Sequence, residues 1–203
     1  MKKVNVYTSK AGQGKSFVMM IDAIKTASEG KKVAYITAEL SDRFVIKRMN
    51  HIAKYFGLKG KISKSNLVVF EVPFGKDKFA FDKIEKIKKD FDVLFLDPFE
   101  AIRSYNHTPE KPIYTSTQEA YLNLANLLES EGSVLQSINT TAGCYRALDS
   151  NDNKVFGFSK ELEDKVVLKT FCSKDYFGDK SIIVACDFVN NSVKEYNLTE
   201  IMK

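Results

Sequence analysis

The sequence predicts an α/β protein with a mostly parallel central sheet flanked by helices and a C-terminal β-hairpin. Strand-like and helix-like segments alternate along the chain, the pattern of parallel strands joined by helical crossovers. A glycine-bearing loop, Ser9-Lys10-Ala11-Gly12-Gln13-Gly14-Lys15-Ser16, lies between the first strand-like run and the first helix-like run. Glu39, Asp97 and Asn139 stand at the ends of later strand-like runs, and open α/β sheets bind ligands at the carboxyl ends of their strands.

The elements follow in order. Val4-Asn5-Val6-Tyr7-Thr8 alternates as a strand does, and Phe17 to Ala27 is an apolar helix closed near Gly30. Val33-Ala34-Tyr35-Ile36-Thr37-Ala38 is nearly all apolar, as a parallel strand buried on both faces requires. Ser41 or Asp42 then opens a helix with Phe44, Val45, Met49, Ile52, Ala53 and Phe56 at helical spacing, ended by Gly57. Lys59 to Ser65 is basic and irregular, and Leu67-Val68-Val69-Phe70 is a short strand broken by Pro73 and Gly75. Phe79 to Asp90 is an amphipathic helix, and Asp92 to Asp97 is the next buried strand.

Ser104 to Thr115 is a loop, and Ser116-Thr117-Gln118-Glu119 fits a capping box that opens a helix through Leu128. Val134 to Ile138 is a strand ending at Asn139, and Thr140 to Phe158 is a long polar segment. Val166-Val167-Leu168 is apolar, and Ile182 to Cys186 pairs with Val193 to Tyr196 through Asn190-Asn191 as a hairpin.

Strand, glycine loop and helix in this order are the context a nucleotide-phosphate loop needs. Gly12 and Gly14 let the backbone bend and bring its N–H groups to an anion, and the helix N-terminus adds its dipole. Ala11, Gly12, Gln13, Gly14, Lys15, Ser16 and Phe17 would line the nucleotide, with Lys15 on its β- and γ-phosphates. The Ser16 hydroxyl and Asp97 would serve Mg²⁺, the carboxylate through water. Ser9 stands where the usual pattern begins with glycine; a plain polar turn is the rival reading.

Spacing leaves the strand-end groups open. Glu39 suits a general base for an attacking water, and equally a helix-start acid. Asn139 suits a γ-phosphate sensor or a turn residue. Asp97 alone would be a strand-ending acid before proline; with the phosphate loop it reads as the metal-side acid. The loops after two of these strands carry Arg103, Lys111, Tyr114, Tyr145, Arg146 and Lys154. Arg103, Lys111, Tyr145 and Arg146 suit a single-stranded DNA track by phosphate pairing and stacking, and equally solvated loops.

At 203 residues the chain has the length of one domain with a full core, and the expectation is a single domain over 1–203. A charge of +5 permits a nucleic-acid surface without requiring one. Cys144, Cys172 and Cys186 form no C-x-x-C pair, so zinc and a disulfide framework are not expected and a reduced, cytoplasmic protein is. No apolar run reaches the length of a membrane span.

Several stretches together resemble the DnaB-type replicative helicases, most of all their phage branch. They are Val33 to Leu40 with Lys47-Arg48-Met49, Asp92 to Pro98, Tyr114-Thr115-Ser116-Thr117, Val134 to Asn139, Phe158 to Val167, and Ser173 to Lys180. The resemblance runs in order from Val4 to Tyr196. It implies a RecA-like phosphate-loop ATPase that uses ATP and Mg²⁺, assembles as a hexameric ring on single-stranded DNA, unwinds duplex in replication, and works with a primase or helicase loader. By position it assigns Lys15 and Ser16 to the phosphate loop, Glu39 to the catalytic acid and Asp97 to the metal-side acid. Asn139 falls at the sensor, where the family usually has glutamine. Lys174 falls at the cationic finger offered to a neighbouring subunit, although Asp175 and Tyr176 follow it where an arginine is usual. The expectation is an ATPase core without the amino-terminal domain and linker helix of those helicases. The rival functions are a RecA-like annealing or recombination ATPase and a regulatory ring ATPase that does not act on DNA.

Overall fold

The computed structural model describes residues 4–9, 12–72, 86–97, 135–140, 166–174 and 181–203, with backbone alone at 4, 6, 8, 88, 135–140, 166–169 and 171. The described strands are β1 (Val4–Thr8), β2 (Val33–Thr37), β3 (Leu67–Glu71), β4 (Val93–Asp97), β5 (Leu135–Thr140), β6 (Val166–Lys174), β7 (Ile182–Asp187) and β8 (Ser192–Asn197). The described α-helices are α1 (Lys15–Ser28), α2 (Asp42–Tyr55) and the short α3 (Leu198–Ile201).

All eight strands share one sheet, in the order β3-β2-β4-β5-β1-β6-β7-β8. From β3 to β6 every neighbouring pair is parallel, whereas β6, β7 and β8 pair antiparallel. The expected mostly parallel sheet and terminal hairpin are therefore both present. β1 lies two places from β4, with β5 between them. Parallel pairing brings the carboxyl ends of β1, β2, β4, β5 and β6 to one edge of the sheet, where the described candidate residues lie.

β2 and β4 are buried at every position, which is why both read as unbroken apolar runs. Tyr35, Val33, Val93 and Phe95 share a core with Tyr7, α1, α2 and the hairpin residues Ile183 and Ala185. Helix α1 contributes Phe17, Val18, Met19, Met20, Ile21, Ala23, Ile24 and Ala27, all buried. Each large apolar side chain buried this way contributes roughly 1.5–3 kcal/mol, so α1 is anchored along most of its length. Lys25 extends from it over the rings of Phe56, 4.7 Å away, and Tyr196, 5.9 Å away, which ties α1 to the end of α2 and to β8.

The helix signals work largely as read. Ser41 caps α2 by accepting the Phe44 N–H. Gly30 and Gly57 follow α1 and α2 with positive φ. Phe44 departs from the expected apolar face of α2: it is 42% exposed and its ring lies 4.3 Å from the Arg48 guanidinium. The buried face of α2 is formed by Val45, Met49, Ile52 and Ala53 instead. Strand β6 runs through Lys174, well past the apolar Val166-Val167-Leu168, because pairing with β1 on one side and β7 on the other holds the polar residues that follow. The expected helix at 79–90 is described only at its end, where Lys88–Asp90 form a 3₁₀ turn. The loop at 104–115, the helix from Ser116 and the segment 141–158 lie outside the described residues.

Candidate functional site

The loop after β1 is shaped by two glycines with positive φ, Gly12 at 74° and Gly14 at 91°. Gly14 is the N-cap of α1 and has no side chain to cap it. A Cβ there would lie 2.4 Å from Ile183 Cδ1, so conformation and packing both require glycine. The first turn of α1 also lacks an acidic residue. The start of α1 thus carries neither a side-chain cap nor an acidic side chain in its first turn, as suits a helix terminus that receives an anion.

Lys15 is only 4% exposed. Its Nζ donates to the carbonyl of Ser9 at 3.2 Å and to the Ser9 hydroxyl at 3.4 Å. The departure from glycine at Ser9 therefore adds a hydroxyl acceptor for the loop lysine at a position 1% exposed. Gln13 points the other way: its Oε1 accepts the backbone N–H of Lys174 at 2.5 Å. Phe17 is buried in the core of α1, so any role it has at a nucleotide falls to its backbone.

Ser16 and Asp97 come from opposite parts of the chain and meet directly. Ser16 Oγ donates to Asp97 Oδ1 at 3.0 Å. The other carboxylate oxygen, Oδ2, accepts the hydroxyl of Tyr35 at 2.5 Å. Asp97 is 4% exposed, and its carbonyl accepts the Ala38 N–H at 2.9 Å, joining the ends of β2 and β4. Burial, followed by the Asp97 charge beside it, holds the Tyr35 phenol well above its ordinary pKa. Arg48 is half-buried; desolvation lowers its pKa, and the charges of Tyr35 and Asp97 partly oppose that.

Ser16 and Asp97 fit a magnesium site. Both offer hard oxygen donors at the mouth of a phosphate loop, and Mg²⁺ takes few protein ligands because phosphate and water complete its shell. Among the described residues no group of three or more His, Cys, Asp and Glu is placed to hold a metal by itself.

Glu39 is exposed, two residues beyond the end of β2. The turn carrying it is closed by Thr37, whose Oγ1 accepts the Leu40 N–H at 3.2 Å and donates to the Leu40 carbonyl at 3.0 Å. Asn139 lies on β5 in register with Tyr7 of β1, placing its backbone beside the strand that feeds the phosphate loop. Lys174 is the last residue of β6. Lys15, Ser16, Asp97, Glu39, Asn139 and Lys174 thus all lie at or just beyond the same sheet edge. Ala11, Arg103, Lys111, Tyr145 and Arg146 lie outside the described residues.

Tyr35, Ser9 and Thr37 are polar contributors that the motif does not reveal. For Tyr35 a signal exists in principle, since a tyrosine within a strand buried on both faces needs a partner for its hydroxyl.

Solved structures match this architecture. One, an ATPase domain, superposes with a TM-score of 0.68 at 13% identity, covering 100% of this chain and 84% of its own. A DnaB-like replicative helicase, solved in a study of its interactions with primase, gives 0.63 at 13% identity, covering 95% of this chain and 54% of its own. The chain has the RecA-like fold of these ATPase domains. A KaiC-like protein from the hyperthermophilic archaeon Pyrococcus horikoshii gives 0.54 at 15% identity, covering 96% of this chain and 83% of its own. No family model matches the sequence, and no curated protein matches it in sequence. The RecA-like likeness is carried by the path of the chain. Among the described residues no helix is long and apolar enough to cross a membrane.

Proposed function

We propose that this protein is a Mg²⁺-dependent ATP hydrolase that works as a DnaB-like motor on single-stranded DNA. The observation that carries the reading is the Ser16–Asp97 contact at 3.0 Å. It joins the hydroxyl of a phosphate loop to a strand-end carboxylate in a fold shared with helicase ATPase domains.

The loop N–H groups at the start of α1 bind the phosphates, and Lys15 leaves Ser9 to balance their charge. Ser16 and, by way of water, Asp97 would hold Mg²⁺, which would supply charge neutralisation to the bound phosphates. Glu39 orients a water in line with the γ-phosphorus and takes its proton. The water oxygen bonds to phosphorus as the bond to the ADP oxygen breaks, and that electron pair leaves with ADP. Asn139 reports loss of the γ-phosphate. Lys174 reaches a neighbouring subunit's site as a point charge, without the fork geometry of arginine. In this reading a homo-hexameric ring carries Arg103, Lys111, Tyr145 and Arg146 toward the DNA, and a primase or loader is a further partner.

The test is steady-state ATP hydrolysis with and without single-stranded DNA, beside Lys15→Ala. DNA-stimulated turnover that disappears in the variant supports the motor, and a forked-duplex assay then separates unwinding from annealing. The rival reading is a regulatory ring ATPase that switches a partner without acting on DNA. Mg²⁺-dependent nucleotide binding with no salt-sensitive DNA binding selects it.

A further inference from the structure

Asp97 sits at the end of β4, where its backbone is fixed by pairing with β2. Its carboxylate plane is not fixed in the same way, because the terminal torsion of aspartate is broad and nearly two-fold. Donors from two different elements hold it. Ser16, in the first turn of α1, holds Oδ1, and Tyr35, in the middle of β2, holds Oδ2. The Tyr35 hydroxyl also lies 3.4 Å from the Ser16 carbonyl, so one group touches the carboxylate and the turn that faces it.

Tyr35 is itself immobile. It is 0% exposed, and its ring stacks on Phe95 with centroids 6.2 Å apart and planes 18° from parallel. A phenylalanine would fill the same space. What the tyrosine adds is the hydroxyl, and that hydroxyl is directed at Asp97.

The geometry points to Tyr35 as a positioning residue that orients the Asp97 carboxylate, and through it Ser16, for the hydrated cation that accompanies the nucleotide. This rests on the proposed Mg²⁺-dependent nucleotide site. Tyr35 touches neither the nucleotide nor the cation, and acts as an outer partner of a metal-side ligand. Loss of such partners typically costs about 10- to 100-fold in metal affinity.

The test titrates Mg²⁺ into the protein with a fluorescent ADP analogue and reads the concentration that half-saturates the metal-dependent rise in binding. Tyr35→Phe is expected to raise that concentration about tenfold. Binding in EDTA, which uses the loop and helix terminus, is the reference. In an Asp97→Asn background the same change should add nothing further. An unchanged Mg²⁺ midpoint overturns the inference, and so does an equal loss with and without Mg²⁺. Should Tyr35→Phe not fold, 3-fluorotyrosine placed at position 35 keeps the ring and hydroxyl. Its ¹⁹F resonance is expected to move when Mg²⁺ joins the ADP complex, and a resonance indifferent to Mg²⁺ overturns the inference. Wild-type protein that binds nucleotide without any Mg²⁺ dependence overturns the proposed function itself, a result distinct from an unaltered Tyr35→Phe.

Discussion

The backbone N–H of Lys174 donates to the side-chain carbonyl of Gln13 at 2.5 Å, joining the end of β6 to the glycine loop between β1 and α1. β6 is the parallel neighbour of β1, so both strands deliver their ends to the same place. The bond links residues 161 positions apart. A shift of the loop around an anion therefore reaches the end of β6 through a single side chain.

Gln13→Ala removes the acceptor and keeps the loop backbone. A neutral hydrogen bond of this kind contributes about 1 kcal/mol, a factor of about five in a local opening equilibrium. The Lys174 amide is expected to exchange with deuterium about that much faster in the variant. Amides in the middle of β2 serve as the control and should not change. Equal exchange at Lys174 in both proteins would remove Gln13 as its partner.

Glu39→Gln is expected to bind ATP like the parent and to lose nearly all turnover, since the amide cannot take the proton from water. Thr37 offers a second route to the same residue. Thr37→Val removes both bonds that close the Thr37–Leu40 turn while keeping the shape of a side chain 1% exposed. The expected result is a loss of about 1–3 kcal/mol in urea unfolding, together with a fall in turnover and little change in ATP affinity. A Thr37→Val protein with parental turnover would mean that the Glu39 turn does not need this brace.

The sheet was legible because its strands are short apolar runs between turn residues, and the loop because Gly12, Gly14, Lys15 and Ser16 follow one strand and open one helix. Asp97 was legible for the same local reason. Tyr35 was not, because its partner lies 62 positions away and Val33-Ala34-Tyr35-Ile36-Thr37 shows only that the strand is buried. Ser9 read as a flaw in the motif, since its contact with Lys15 exists only once the loop has folded back. β6 was underestimated because Lys169, Thr170 and Ser173 interrupt its pattern, and strand pairing on both sides overrides propensity there.

Cys172 gives the protein a pH limit. It is 0% exposed, and burial pushes its thiol up to about 12. The unfolded chain releases this proton near pH 8.5 while the folded chain keeps it, so the unfolded state binds fewer protons between those values. Stability is therefore complete below about pH 8.5 and falls by about 1.4 kcal/mol per pH unit from there toward 12. Tyr35 and Tyr196, also raised by burial, steepen the fall at the alkaline end. Urea midpoints measured from pH 7 to 10.5 check this, and Cys172→Ala should flatten the early part of the decline. A decline of equal slope in that variant would place its cause elsewhere.

Gly14 and Ile183 make the sharpest packing test. Gly14 has φ of 91°, and an added Cβ would meet Ile183 Cδ1 at 2.4 Å and Cγ1 at 2.8 Å. Gly14→Ala thus combines a left-handed alanine with an overpacked contact, each costing about 1–3 kcal/mol. The expected sum is about 2–6 kcal/mol in urea unfolding, with nucleotide binding lost as the start of α1 is displaced. Ile183→Ala removes the clashing atoms and has its own cavity cost of about 2–5 kcal/mol. Because the two changes share one contact, the double variant should be more stable than their summed effects predict, by about 1–3 kcal/mol. The conformational part of the Gly14→Ala loss should survive in it, since φ is set by the loop and not by Ile183. Strict additivity would mean that the loop and β7 do not press on each other, and that the glycine is required for conformation alone.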